Sequence, residues 1–246
     1  TDSYIKFMHS ETQQALIDYL SGFVTPERRD RIEAVLSQRT RHITVVLEDI
    51  KHTQNASAVL RSCDIFGLQD IHIVEQNYGF RARRMVTAGA NKWLTLHRYR
   101  PDATAGLTAN QRCFDTLRAK GYAIAATTPS KQGILPDAIA INQPLAIVFG
   151  SEKKGISDIA LQQANCYLHL PMYGFSESFN LSVSVGLCLQ PVIHRLRSSS
   201  LPWRLSEAEK FDLRLDWLRK SAQSAEALER RFWQNYGDSA EVKTHH

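Results

Sequence analysis

The sequence predicts an α/β fold: a mostly parallel sheet with helices on both faces. Two observations carry this. Short β-branched or apolar runs alternate with helical segments from Ile43 to Leu196. Strands that alternate with helices argue for parallel pairing with covered faces. Gly67 and Gly121 each follow a helical segment, at the place where a left-handed residue ends a helix.

The elements follow in order. Ser10 and Gln13 have capping-box spacing ahead of Leu16, Leu20 and Phe23, which predicts a helix over 10–23. Thr25 and Pro26 read as N-cap and first residue of a second helix, with Ile32, Val35 and Leu36 on its apolar side. "ITVVLEDI" is a buried strand, "NASAVLRSCDIFG" a helix and "IHIVEQ" a strand. The stretch 85–92 is ambiguous. "WLTLHRY" is a strand, 110–120 a helix, and "YAIAATT" and "PLAIVFG" two further strands. "SDIALQQA" is a helix, "CYLHLPM" a strand, and 178–197 a long helix. "RSSSLPWRL" reads as a linker. Ser206 and Glu209 again have capping-box spacing, before Phe211, Leu215 and Leu218 on one face, and a last helix carries Leu228, Phe232 and Trp233. The layout is a helical N-terminal arm (1–41), an α/β core (42–197) and a helical C-terminal extension (198–246).

Composition narrows the function classes. No run of about 18 apolar residues exists, so no membrane span is expected. The first ten residues lack the basic head and apolar stretch of a signal peptide. Cys63, Cys113, Cys166 and Cys188 form no CxxC pair and read as buried free thiols of a reducing cytoplasm, with no metal site expected. The formal charge of +5 is modest, yet arginines gather at Arg28, Arg29 and Arg31, at Arg39 and Arg41, and in "RARR" at 81–84. Such clusters suit either a polyanionic partner or solvated faces. No GxGxxG occurs. Gly150 and Gly155 have P-loop spacing, but Ile156 stands where the phosphate-binding Lys belongs, so the P-loop reading fails.

Three loops combine polarity with core-like flanks. Asn55, Ala58 and Arg61 head one helix, where Asn55 reads as a cap and Arg61 as a surface partner as readily as anything functional. Gly150, Ser151, Glu152 and Gly155 form a short charged turn between two glycines. In "LPMYGFSESFNLSVSV", Ser178 can cap the helix that follows, which leaves Asn180 in its first turn, where an amide is unfavourable without a partner. Spacing alone leaves the function of all three open.

Together, "NASAVLR", "LAIVFGSEKKGIS" and "LPMYGFSESFNLSVS" resemble the three motifs of the SpoU/TrmH family of RNA ribose 2′-O-methyltransferases, in order and at comparable spacing. The resemblance spans nearly all of 42–197. "RRDRIEAVLSQRTRHITVVLEDI" and "LDWLRK" look like the tRNA-type members, which methylate guanosine 18 of the D-loop. Some relatives act on ribosomal RNA, and the further alternative is a non-catalytic RNA-binding protein of this fold.

The resemblance implies a fold that pattern reading does not supply: an α/β knot, in which the chain near the third motif threads a loop as a trefoil. It implies S-adenosylmethionine as methyl donor, held by Thr127, Gly150, Leu170, Met172 and Phe179, and it implies a homodimer. Arg61 matches the family arginine proposed as general base. Asn55, Glu152, Ser178 and Asn180 match the other active-site positions. Guanidinium groups keep their proton in proteins, which makes holding a phosphate the better role for Arg61. Gln54 in place of the more frequent His, Phe179 and Leu181 in place of Leu and Val, and "MYGFSE" depart from the family pattern and bear on target choice.

Overall fold

The structure, a computed structural model, describes residues 2–81, 89–129, 132–152 and 154–243, with side chains described from residue 11 to residue 236 of these. Beyond Arg81 the "RARR" cluster lies outside the described residues, as do 85–88 of the ambiguous stretch. The chain divides into two compact units, Arg39–Arg204 and a second that joins Thr1–Gln38 to Leu205–His246.

The larger unit is a six-stranded sheet. Its strands are β1 (Ile43–Glu48), β2 (Asp70–Val74), β3 (Thr95–Tyr99), β4 (Ala123–Thr128), β5 (Leu145–Phe149) and β6 (Cys166–His169). The order is β3-β2-β1-β5-β4-β6 and every pairing is parallel. Between them lie α3 (Thr53–Ile65), α4 (Ala109–Ala119) and α5 (Asp158–Gln163), and α6 (Leu181–Arg197) follows β6. Side chains alternate across the pleat. Ile43, Val45 and Leu47 pack with Ala56, Val59, Leu60 and Cys63 of α3 and with Val185, Leu189 and Val192 of α6. Val46 packs on the other face with Ala109, Cys113, Phe114 and Leu117 of α4. Burial on both faces is why β1 and β5 read as unbroken apolar runs rather than alternating ones.

Strand order reverses between β1 and β5, so the carboxyl ends around these strands form the crevice expected to take a ligand. The connection after β4 runs along the outer edge of β6. The Ile134 N–H donates to the Tyr167 carbonyl at 2.7 Å, and the His169 N–H donates to the Ile134 carbonyl at 2.9 Å. At Gly133 a Cβ would lie 2.7 Å from the His169 Cβ, so no larger residue fits this approach. Gly67 and Gly121 take positive φ, as their helix-ending positions require.

A buried polar cluster lies on the α4 face of β2 and β3. His72 stacks on His97 at 4.7 Å and its Nδ1 lies 2.9 Å from the Tyr99 hydroxyl. Arg41 and His97 approach Asp70 at 2.9 and 3.2 Å. Burial, then the charge of His97, pushes His72 down to about 3; Asp70 acts the other way and Lys120 adds to the depression. Burial works to raise Asp70, but the His97 hydrogen bond and Arg41 hold its carboxyl below the usual range. Unfolded His72 titrates near 6.5. Between pH 6.5 and about 3 the unfolded chain therefore binds the extra proton, and stability falls as pH falls. His72 is expected to contribute a loss of roughly 3 kcal/mol between pH 6.5 and pH 4 in thermal or urea unfolding. His72→Gln should flatten that slope; an unchanged slope would assign the acid sensitivity elsewhere.

Two of the arginines singled out for a polyanion serve the fold. Arg39 is buried, donates to the Leu68 carbonyl at 2.7 Å and pairs with Asp64. Arg41 is spent on Asp70. Three of the cysteines are buried and Cys166 is half-buried.

The second unit is helical. It contains α1 (Asp2–Ser21), α2 (Pro26–Leu36), α7 (Glu207–Ser221) and α8 (Ala225–Lys243). Helix α1 begins at Asp2, well before the capping box expected at Ser10. The Thr25 cap and the Ser206–Glu209 box form as expected. Arm and tail pack on each other because neither can bury its apolar stripe alone. Leu16, Leu20, Ile32, Leu36, Trp217 and Phe232 are buried, and Arg214 pairs with Glu33 at 2.5 Å. Trp217 is a core residue that the helical spacing of Phe211, Leu215 and Leu218 did not single out.

Candidate active site

A cavity of about 1020 Å³ opens at the carboxyl ends of β4, β5 and β6 and at the first turns of α3 and α6. Thr127, Gly150, Leu170, Met172 and Phe179 line it, as do Asn55, Glu152, Ser178 and Asn180. Sequence reasoning missed His52 and Thr128, which also face it, as do Ser151, Glu177 and Ser184 of the polar loops. Strand-end position was the signal that could have found Thr128.

Three of these side chains form one directional relay. The Asn55 Nδ2 donates to Glu152 Oε1 at 2.9 Å, and the Asn180 Nδ2 donates to Asn55 Oδ1 at 3.0 Å. Asn180 Oδ1 then accepts from the Ser182 N–H at 2.9 Å and its hydroxyl at 2.7 Å. A carboxylate only accepts, so Glu152 fixes which way each amide turns. Helix α6 consequently starts at Leu181 with Asn180 as its N-cap, and Ser178 does not cap it. Helix α3 starts at Thr53, with Asn55 inside its first turn and no side-chain cap at His52. Asn55 forgoes the capping role for contact with Asn180 across the cavity mouth, and Asn180 makes that contact while capping α6.

The loop carrying Glu152 is tightly folded. The Gly155 N–H donates to the Ser151 carbonyl at 2.8 Å, and Gly155 takes φ +68. A Cβ on Gly150 would lie 2.1 Å from the backbone of Gly155. The loop ends at Ser157, the N-cap of α5. There the buried Glu48, at the carboxyl end of β1, accepts from the Ser157 N–H at 2.8 Å and its hydroxyl at 2.5 Å, and from Asn110. Burial raises the Glu48 carboxyl although these hydrogen bonds oppose the rise.

Arg61 stands apart. It lies on α3 but does not line the cavity, is exposed, and makes no hydrogen bond or ion pair among the described residues. Six residues separate it from Asn55, which turns it well round the helix from the cavity-facing side. Helices α3 and α6 both start at the cavity, and Arg197 reaches the Phe66 carbonyl at their far ends. They run side by side, and their outer surfaces leave Ile65, Val183 and Leu187 exposed.

The lining suits an adenosine carrying a sulfonium group. Leu168, Leu170 and Met172 supply apolar contact, strand-end backbone supplies hydrogen bonds, and Glu152 and Glu177 supply negative charge. Among the described residues no cluster of three His, Cys, Asp or Glu could hold a metal ion, and no helix is long and apolar enough to cross a membrane.

Comparison with known proteins places this geometry. The model of the SpoU rRNA methylase family matches residues 42–190. The tRNA (guanosine(18)-2′-O)-methyltransferase of Borreliella burgdorferi is 39% identical over 213 residues, covering 87% of this chain and 94% of that protein. The enzyme of the same name from Thermus thermophilus is 32% identical over 198 residues, covering 80% and 98%. The crystal structure of the A. aeolicus TrmH/SpoU tRNA modifying enzyme superposes with a TM-score of 0.68 at 24% identity, covering 79% of this chain and 96% of that one. The SpoU methyltransferase AviRb from Streptomyces viridochromogenes, solved with AdoMet, superposes at 0.53 and 17% identity, over 67% and 64%.

Proposed function

The chain belongs to the SpoU rRNA methylase family, and from that premise we propose that it methylates the 2′-hydroxyl of a ribose in tRNA, using S-adenosylmethionine, with guanosine 18 of the D-loop as target. The observation that carries this is the Glu152–Asn55–Asn180 relay at the mouth of a cavity built to take the methyl donor. The names and coverage of the relatives support tRNA over ribosomal RNA.

Bound S-adenosylmethionine supplies an activated methyl group and a neutral leaving group. The chain does the rest by positioning. Thr127, Gly150, Leu170, Met172 and Phe179 hold the donor. Asn55 and Asn180, turned by Glu152, and Ser178 hold the ribose. Arg61 holds the phosphate beside it and favours the deprotonated form of the 2′-hydroxyl, whose proton passes to solvent as the bond from oxygen to methyl forms.

Arg61 does this from a second copy of the chain. Its exposed position on α3, together with the exposed Ile65 of the same helix and Val183 and Leu187 of α6, supports a homodimer in which each subunit lends Arg61 to its partner's cavity. Leu187→Glu is expected to turn the dimer into a monomer in light scattering and to abolish transfer while the fold persists. A dimeric, active variant would contradict the assignment of this face.

The β6 strand, bordered by β4 on one side and by Ile134 of the β4–β5 connection on the other, supports the knot that family membership implies. The exposed Arg28, Arg29 and Arg31 of α2 suit RNA binding by the helical unit. Free thiols suit the reducing cytoplasm. Tritiated methyl transfer tests the reaction: label should enter bulk tRNA, and label entering only ribosomal RNA would contradict the target.

A further inference from the structure

Tyr78 lies in the loop after β2, is 42% exposed, and belongs to neither core cluster of the sheet. Its backbone, by contrast, is firmly held. Asp49, the residue after β1, takes φ +53, a strained value for a residue other than glycine. In this conformation its carboxylate accepts from the Asn77 N–H at 2.8 Å, the Asn77 side-chain amide at 2.5 Å and the Tyr78 N–H at 3.3 Å. The Asp49 N–H itself donates to the Val74 carbonyl at 3.0 Å. Lys51 completes the arrangement, its Nζ standing 5.3 Å from the centre of the Tyr78 ring. The next residue, His52, lines the cavity. A strained residue thus anchors the backbone that carries an exposed aromatic ring, and the lysine over that ring immediately precedes the cavity-lining His52.

We propose that Tyr78 and Lys51 form a stacking platform for an unpaired base of the RNA next to the methylated nucleotide. The proposal rests on the RNA methyltransferase reading above. A loop nucleotide whose ribose enters a cavity must leave its stack, and its neighbours then expose base faces. Aromatic side chains take such faces whatever the base, and a nearby ammonium adds attraction to the phosphate.

The test is tRNA affinity at fixed salt, by filter binding, beside calorimetry with S-adenosylhomocysteine. Tyr78→Ala is expected to weaken tRNA binding about tenfold. Tyr78→Phe and Tyr78→Trp should stay within about twofold of the unaltered chain, since the ring face is what they keep. Lys51→Ala should lower the salt slope by about one. S-Adenosylhomocysteine affinity should hold in every variant. Unaltered tRNA binding in Tyr78→Ala would overturn the platform alone, as would a loss in Tyr78→Phe equal to that in Tyr78→Ala. A Tyr78→Ala chain that becomes monomeric would overturn it too, by giving the ring to a second subunit. An unaltered chain that binds no tRNA would overturn both the platform and the functional reading beneath it.

Discussion

Arg61→Ala is expected to slow methyl transfer by about 10²–10³-fold, the cost of removing a single charge-stabilising donor from a reacting centre. S-Adenosylhomocysteine binding should be unchanged, because Arg61 serves the RNA phosphate and is not among the residues that hold the donor. Arg61→Lys should recover little, since an ammonium cannot reproduce the two-pronged grip of a guanidinium on a phosphate. Mixed dimers locate the residue. When Arg61→Ala chains are combined with Glu152→Ala chains, an arginine lent across the interface leaves one intact site in every heterodimer. Random mixing should then restore roughly a quarter of the full rate. No recovery would place Arg61 in its own chain's site.

Gly150→Ala is the second large effect. The added methyl would stand 2.1 Å from the carbonyl carbon and oxygen of Gly155, and these are backbone atoms that no rotamer change can move. The loop from Ser151 to Gly155 must shift, and with it Glu152, which orients Asn55 and through it Asn180. A destabilisation of about 3 kcal/mol or more is expected from overpacking at such a contact, and S-adenosylhomocysteine affinity should fall by at least about 100-fold. Calorimetry and thermal unfolding together check this. Near-normal affinity would mean that the loop does not hold the donor.

Much of this was legible before any coordinates. The strands announced themselves because β-branched runs buried on both faces leave little room for another reading. The three polar loops stood out because Asn180 and Glu152 sit where a core element should be apolar. What stayed hidden depends on contacts distant in sequence. The order β3-β2-β1-β5-β4-β6 is set by pairings such as Val45 with Ile71 on one side and Ile147 on the other. Asn55 finds Glu152 and Asn180 across 97 and 125 residues. Ser178 looked able to cap α6, yet Asn180 caps it, and its amide serves the helix and Asn55 at once. Arg39 looked like surface charge, although it is buried against Asp64 and the Leu68 carbonyl. A charged residue's partners cannot be read from its own position.

The central claim is that the cavity at the ends of β4, β5 and β6 sets a methyl donor beside a ribose hydroxyl of tRNA. Mass spectrometry of nuclease-digested tRNA, after incubation with the protein and S-adenosylmethionine, tests it most directly. A single 2′-O-methylguanosine at position 18, lost when that ribose is replaced by deoxyribose, is the predicted result. A methyl group on a base, or none on tRNA, would contradict the account.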